Sequence, residues 1–155
     1  MQEWLELIYE QVQEKGHIVL FVESHDRPFA YTIGLHERGL PELLVTGMPP
    51  ERANLVLDTV AHYLLKGGRP VPGEQMFIGG ELMLDFVQVQ HPIAHLKFAY
   101  SFYGPDLRAL QLVWPDDDGH LPWRAEFSNG GVRQPVFGIR VDPPDHPPWL
   151  PTMTW

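Results

Sequence analysis

Apolar residues recur at helical spacing at Trp4, Leu5, Ile8 and Val12, while glutamates at 3, 6, 10 and 14 hold the remaining surface and Gly16 follows. The spacing predicts an amphipathic helix over residues 3–15. After Gly16 the period changes. HIVLFVE and FAYTIGL are β-rich runs separated by the turn residues SHDRP, which predicts a hairpin. PELLVTG, ending at Gly47, predicts a third strand. Pro49, Pro50 and Glu51 then open a helix, because proline is tolerated where the first-turn N–H has no partner and glutamate complements the helix dipole. Ala53, Val56, Leu57, Val60, Ala61, Leu64 and Leu65 form its apolar stripe, and Lys66-Gly67-Gly68 ends it.

The second half is read in the same way. QMFIGGELMLDFVQVQ predicts two strands joined at Gly79-Gly80, a dipeptide suited to the positive φ angles of a tight hairpin. Residues 92–103 fit either a short helix or a strand, with Ala94, His95, Lys97 and Ala99 leaning towards helix. RALQLVW predicts a strand that ends at Pro115, and GVRQPVFGIRV predicts one more short edge strand. The segment DPPDHPPWLPTMTW holds five prolines and cannot make a regular ladder. The pattern therefore predicts a single α+β domain over residues 1–140 and a proline-rich C-terminal arm over 141–155. Within the domain, five to seven strands form a mostly antiparallel curled sheet or partly open barrel, covered by two to three helices.

Composition supports one packed domain. A chain of 155 residues hides about 70% of its unfolded surface, and 44% apolar and 20% charged residues are ordinary for a globular protein. There is no cysteine, which excludes disulfides, thiolate metal sites and cysteine nucleophiles. Twenty acidic residues against 11 basic ones set the formal charge at −9. The basic residues are scattered singly along the chain, so neither nucleic acid nor an anionic membrane is an expected partner. The acidic N-terminal stretch does not resemble a signal peptide, and no run approaches a membrane span. A soluble, cytoplasmic protein is the expectation.

Few motifs carry chemistry. No G-x-S-x-G, G-x-x-x-x-G-K or G-x-G-x-x-G is present, which removes the best-marked hydrolase, nucleotidase and dinucleotide classes. His91 and His95 stand at the i, i+4 spacing that lets two imidazoles reach one metal from a helix face. His36 or His62 and a carboxylate would have to complete such a site. Asp116, Asp117, Asp118 and Gly119 lack the alternating ligands and the distant glutamate of a calcium loop, so they read as a turn whose carboxylates bond their own backbone. Glu37 and Glu42 flank Gly39 and Pro41 and are expected as solvated loop charges, with an acid–base role as the alternative. Trp114, Trp123, Tyr31, Tyr100 and Tyr103 are placed at strand ends or turns, where a ring either closes the core or lines a cleft. Trp114 and Trp123, on the two arms of one turn, can share a face that either closes the core or opens to a ligand.

FAYTIGL, PELLVTG with the Pro-Pro helix after it, YGPDLRALQLVWPDDDGHLPW and QPVFG together resemble the bacterial family DUF4262, from about Gly16 to Gly138. The resemblance implies a small stand-alone bacterial or phage domain. It also implies that Tyr31, Thr32, Gly34, Pro41, Glu42, Gln111, Trp114, Pro115, Asp116, Trp123 and Gln134 belong to a recurring pattern. It brings no activity with it. The early hairpin, the strand begun by proline and the Pro-Pro helix are also similar to flavin reductase-like split barrels, in which early strands and loops hold the flavin. Thr32, Thr46, Arg38 and Arg52 are the candidates for its phosphate, on fold analogy alone.

The expected function is a non-catalytic module that binds a small molecule or a protein through Tyr31, Thr32, His36, Glu42, Trp114, Asp116, Trp123 and Gln134. One alternative is a flavin-type split-barrel protein or oxidoreductase with His36 and Glu42 beside the ligand. The second is the histidine-based metal site. A homodimer covering an exposed sheet edge is also expected.

Overall fold

The computed structural model describes residues 2–23, 28–128 and 133–141. The proline-rich arm falls, but for Val141, outside them. Six strands form one open sheet in the order β1-β2-β3-β6-β5-β4. They are β1 (Ile18–Val22), β2 (Phe29–Ile33), β3 (Glu42–Thr46), β4 (Gln75–Ile78), β5 (Leu82–Gln88) and β6 (Ala109–Val113). The helices are α1 (Gln2–Lys15), α2 (Pro50–Leu65), α3 (Pro92–His95) and α4 (Lys97–Tyr103), with 3₁₀ turns at Leu35–Arg38 and Gly104–Asp106.

The sheet consists of two antiparallel meanders set side by side. β1, β2 and β3 follow one another along the chain, as do β4, β5 and β6 in the reverse spatial order, with α3 and α4 inserted between β5 and β6. They join at the centre through β3 and β6, which run parallel with Leu43 opposite Leu110. A parallel pair needs a long crossover, and α2, the β4–β5 hairpin and the α3–α4 segment together supply it. The fold is α+β, and its sheet is an open curled one rather than a closed barrel. At the β4–β5 turn Gly79 and Gly80 take φ of 61° and 75°, the two positive angles of a tight hairpin.

Both faces of the sheet are covered, which explains why β3 and β6 are buried at every position. On one face α2 lays Ala53, Val56, Leu57, Val60, Ala61 and Leu64 against Leu43, Val45, Leu84, Phe86, Leu110 and Leu112. On the other, Leu96 and Ala99 cover Tyr31, Ile33, Leu44 and Ala109. α1 buries Ile8 and Val12.

Two local expectations change. Residues 92–103 form two helices rather than one, because Leu96 at φ −95°, ψ 63° leaves the helical region and drops its buried side chain into the core. That break raises the helix count among the described residues to four. The edge strand expected in GVRQPVFGIRV is, among the described residues, a single bridge from Gly138 to Val89. Pro135 has no N–H to offer a ladder.

Candidate functional site

Glu42 opens β3 and is fully buried, so it is not the solvated loop charge expected beside Glu37. β2 and β3 keep a register from Phe29↔Thr46 to Tyr31↔Leu44. Beyond it the Thr32 hydroxyl enters the gap, accepting from the Leu43 amide at 2.8 Å and donating to Glu42 Oε1 at 2.8 Å. The Gly34 and His36 amides donate to Oε2 at 3.0 and 3.1 Å, and the Leu35 amide to Oε1 at 3.2 Å. Three successive N–H groups thus converge on one carboxylate at the start of the 3₁₀ turn, an anion nest filled from within the chain. Gly34 makes this bend at φ 125°. Burial pushes the Glu42 carboxyl up to about 7, against the downward pull of its four donors.

Trp114, Gln134, Gln111 and Thr46 form a second polar knot. Trp114 is buried, and its indole N–H donates to Thr46 O at 2.9 Å. Gln134 grips its backbone twice: the Trp114 amide donates to Oε1 at 3.1 Å, and Nε2 donates to Trp114 O at 2.9 Å. Gln111 Nε2 and the Thr46 hydroxyl both donate to Pro135 O at 2.8 Å. The knot fastens residues 134–137 to the end of the sheet, and its polar groups are engaged within the chain.

Asp116 closes the acidic turn. Oδ1 accepts from the Asp118 and His120 amides at 3.0 and 2.8 Å, and Oδ2 from the Ser128 amide at 2.9 Å. Burial works against the charged form, but these amides and the nearby His120 ring prevail and hold the carboxyl below its ordinary value. Ligand atoms of Asp116, Asp118 and His120 lie within 4.8 Å of one another. Asp116 already turns its oxygens to backbone donors, as the turn reading expects. Gly119 sits at φ 85° within the loop.

The remaining expected residues are dispersed. Tyr31 lies in the middle of β2 rather than at a strand end, buried, and its phenol oxygen accepts from the Phe98 amide at 3.1 Å. The His36 ring stacks on Tyr103 at 4.7 Å. Tyr103 donates to Glu37 Oε2 at 2.8 Å, and Gln13 donates to the other oxygen at 3.0 Å. Trp123 is half-buried beneath the Arg140 guanidinium, 5.0 Å from its ring centre. Trp114 has its own neighbours, Phe127 and Arg52. The two tryptophans thus have different ring partners. The eight residues expected around one ligand therefore fall into several separate places.

The four histidines of the metal alternative are similarly divided. His91 precedes α3 in a left-handed conformation, and His95 stacks on Phe137 at 3.9 Å. His62 bonds to the Asp58 carbonyl through Nδ1 at 2.9 Å. Among the described residues, the one group of three potential ligands is that in the Asp116 turn.

A cleft of about 600 Å³ opens where α1, β1 and α2 meet. Its wall includes Glu14, Lys15, His17, Asn54, Asp58 and His62. His17 is 3% exposed, and its Nε2 lies 2.7 Å from Asp58 Oδ1. The His62 ring meets it edge-on at 5.9 Å. Asp58 is only half-covered, 48% of its side chain remaining exposed, and its bond to His17 uses one oxygen. His17 Nδ1 is buried without a protein partner. Sequence reading passed over this pair because 41 residues separate its members. The available signal was an aspartate on the α2 surface and a histidine immediately before a strand.

A two-faced open sheet, with most of its sequence-marked polar groups tied internally and a polar cleft at a helix–strand corner, defines a single-domain α+β protein. Residues 11–128 match the family described as Domain of unknown function (DUF4262), and the chain belongs to that family. The matched span includes Tyr31, Thr32, His36, Glu42, Trp114, Asp116 and Trp123, and Gln134 lies beyond it. No curated protein and no solved structure matches the chain.

Proposed function

We propose that this chain is a binding module whose ligand enters the cleft between α1, β1 and α2. The observation that carries the reading is the His17–Asp58 pair in that wall. A buried imidazole fixes one carboxylate oxygen at 2.7 Å, which orients the partly exposed carboxylate towards the opening. The ligand class is a small polar molecule with a cationic or N–H donor group, received by Asp58 with Glu14, Asn54 and His62 around it. The volume lies within the range of small-molecule sites. Of the residues expected from sequence, His36 and Trp123 keep partial exposure and stay as candidates for contact with a larger partner. The flavin alternative has less support, because the Thr32 and Thr46 hydroxyls donate to Glu42 and to Pro135 O.

A panel of small amines and matched neutral and anionic analogues tests the reading by thermal shift and by titration with amide NMR. Saturable binding by an amine, with shifts centred on residues 14–19 and 54–62, supports it. The Asn54→Trp variant, which fills the cleft from an exposed position on α2, should lose that binding while keeping its melting temperature. An amine response that persists unchanged in Asn54→Trp, or shifts centred elsewhere, removes the cleft from consideration.

A homodimer belongs to the same reading. β1 and β4 end the sheet, and Phe77 on β4 is 64% exposed, the kind of edge that a second chain covers. Light scattering that returns the mass of one chain at every concentration removes this part. The charge of −9 works against association with nucleic acids and anionic membranes, and a cytoplasmic location is part of the same proposal.

A further inference from the structure

Arg69 and Arg108 are 39 positions apart in the sequence, yet both line one pocket of about 280 Å³ between the loop that follows α2, the end of β5 and the starts of β3 and β6. We propose that this pocket binds a small oxyanion, a phosphate monoester or a compact carboxylate, between the two guanidiniums. The site is independent of the His17 cleft.

Both arginines are pre-positioned by backbone carbonyls. Arg108 Nη2 donates to Gly39 O at 2.9 Å, and Gly39 is itself part of the wall. Arg69 Nη1 donates to Leu64 O at 2.9 Å and to Gly68 O at 2.6 Å, at the carbonyl end of α2. A guanidinium has five N–H donors in a fixed fork, so these bonds leave donors on each group for a ligand. Carbonyl acceptors hold a guanidinium in place without neutralising it. Among the described residues no carboxylate lies within ion-pair distance of either arginine. The pocket lining contains two cations and no acid, in a protein whose net charge is −9.

The remaining wall fits the same ligand. Gln88 adds an amide, and Pro41, Pro70 and Pro72 provide stiff sides without N–H groups of their own. The long-range repulsion from the acidic surface is screened within about 8 Å at physiological salt, so the two nearby guanidiniums decide the local field. Size limits the guest. Drug-sized ligands occupy roughly 300–1,000 Å³, which leaves this pocket suited to a phosphoryl or carboxylate group rather than a whole nucleotide. Paired forks favour an anion that offers two oxygens to each.

Calorimetric titration of the intact protein with inorganic phosphate, with malonate and with chloride at matched ionic strength tests the proposal. Saturable binding of phosphate or malonate, with no response to chloride, is expected, and the stronger of the two identifies the source of the oxyanion. Arg108→Gln should weaken it by at least about tenfold, the loss of one charge-assisted contact. Arg69 also caps α2, so Arg69→Lys is the paired variant: it keeps the charge, loses the fork, and should weaken binding while the protein stays folded by circular dichroism. Equal responses to chloride and phosphate, or undiminished binding in Arg108→Gln, would overturn the proposal.

Discussion

The Thr32 hydroxyl lies 2.8 Å from Glu42 Oε1 and 2.8 Å from the Leu43 amide, between two strands that have stopped pairing. One side chain replaces a ladder acceptor and also supplies a donor to a sealed carboxylate. The consequence is a fold with an ionisable group at its centre, held by the 3₁₀ turn that follows β2. Stability and protonation are therefore linked at this point.

Glu42 predicts a specific pH dependence. Its folded value of about 7 lies above the ordinary 4.5. Below pH 4.5 both folded and unfolded chains carry the proton, and ionisation costs the fold nothing. Between 4.5 and about 7 the unfolded chain releases it first, so stability falls as pH rises, and above 7 the loss levels off. The full loss is about 3 kcal/mol. Urea denaturation from pH 4.5 to 8 measures it as the difference between the wild type and Glu42→Gln. The wild-type advantage should shrink across this window, and a constant difference would show that the carboxyl is not raised.

The backbone bend that builds the nest is open to a separate test. A Cβ at Gly34 would stand 2.8 Å from Gly16 O and 2.8 Å from Val12 Cγ1, at φ 125°. Gly39 also has positive φ, 74°, but nothing lies within 4 Å of its missing Cβ. Gly34→Ala should cost more than about 1 kcal/mol, and Gly39→Ala clearly less. Chemical denaturation of the two variants gives the order, and an equal cost would remove the steric part of the argument.

Sequence legibility followed the range of the physics. The first hairpin, α2 and the β4–β5 hairpin show in the sequence because residue period and turn chemistry act within about ten positions. The parallel β3–β6 pair does not, since nothing local links Leu43 to Leu110. Leu96 explains the ambiguity of residues 92–103, for its burial breaks what would be one helix. The candidate site divides in the same way. Asp116 was readable as a turn residue because its partners Asp118 and His120 are neighbours. Glu42 appeared as a loop charge because its burial depends on a sheet assembled from both halves. His17 with Asp58, and Arg69 with Arg108, meet only in the fold, where single scattered charges become pairs.

Trp114 is placed by the structure in the core, with its indole N–H on Thr46 O and its ring 3% exposed. Trp114→Ala should therefore cost about 3–5 kcal/mol, the transfer loss plus the cavity. Trp114→Phe keeps much of the volume but leaves the Thr46 carbonyl without its donor, a cost of about 1–3 kcal/mol. Equilibrium unfolding monitored by circular dichroism, rather than by the altered fluorophore, reads both. A near-neutral Trp114→Ala would return the ring to a ligand-facing role.

Asp116 predicts opposite behaviour to Glu42 in acid. Its folded value is held below the ordinary one, so its contribution is present above the unfolded value and is lost as pH falls through the folded one. Asp116→Asn puts an amide N–H₂ where one carboxylate oxygen accepted, and either the Ser128 amide or the His120 and Asp118 amides lose their acceptor. Hydrogen exchange should accelerate at those amides in the variant, with the sheet still protected. Because the carboxylate is already satisfied by backbone donors, calcium or zinc should leave the wild-type melting temperature unchanged. A saturable rise that disappears in Asp116→Asn would instead make the turn a metal site built from Asp116, Asp118 and His120.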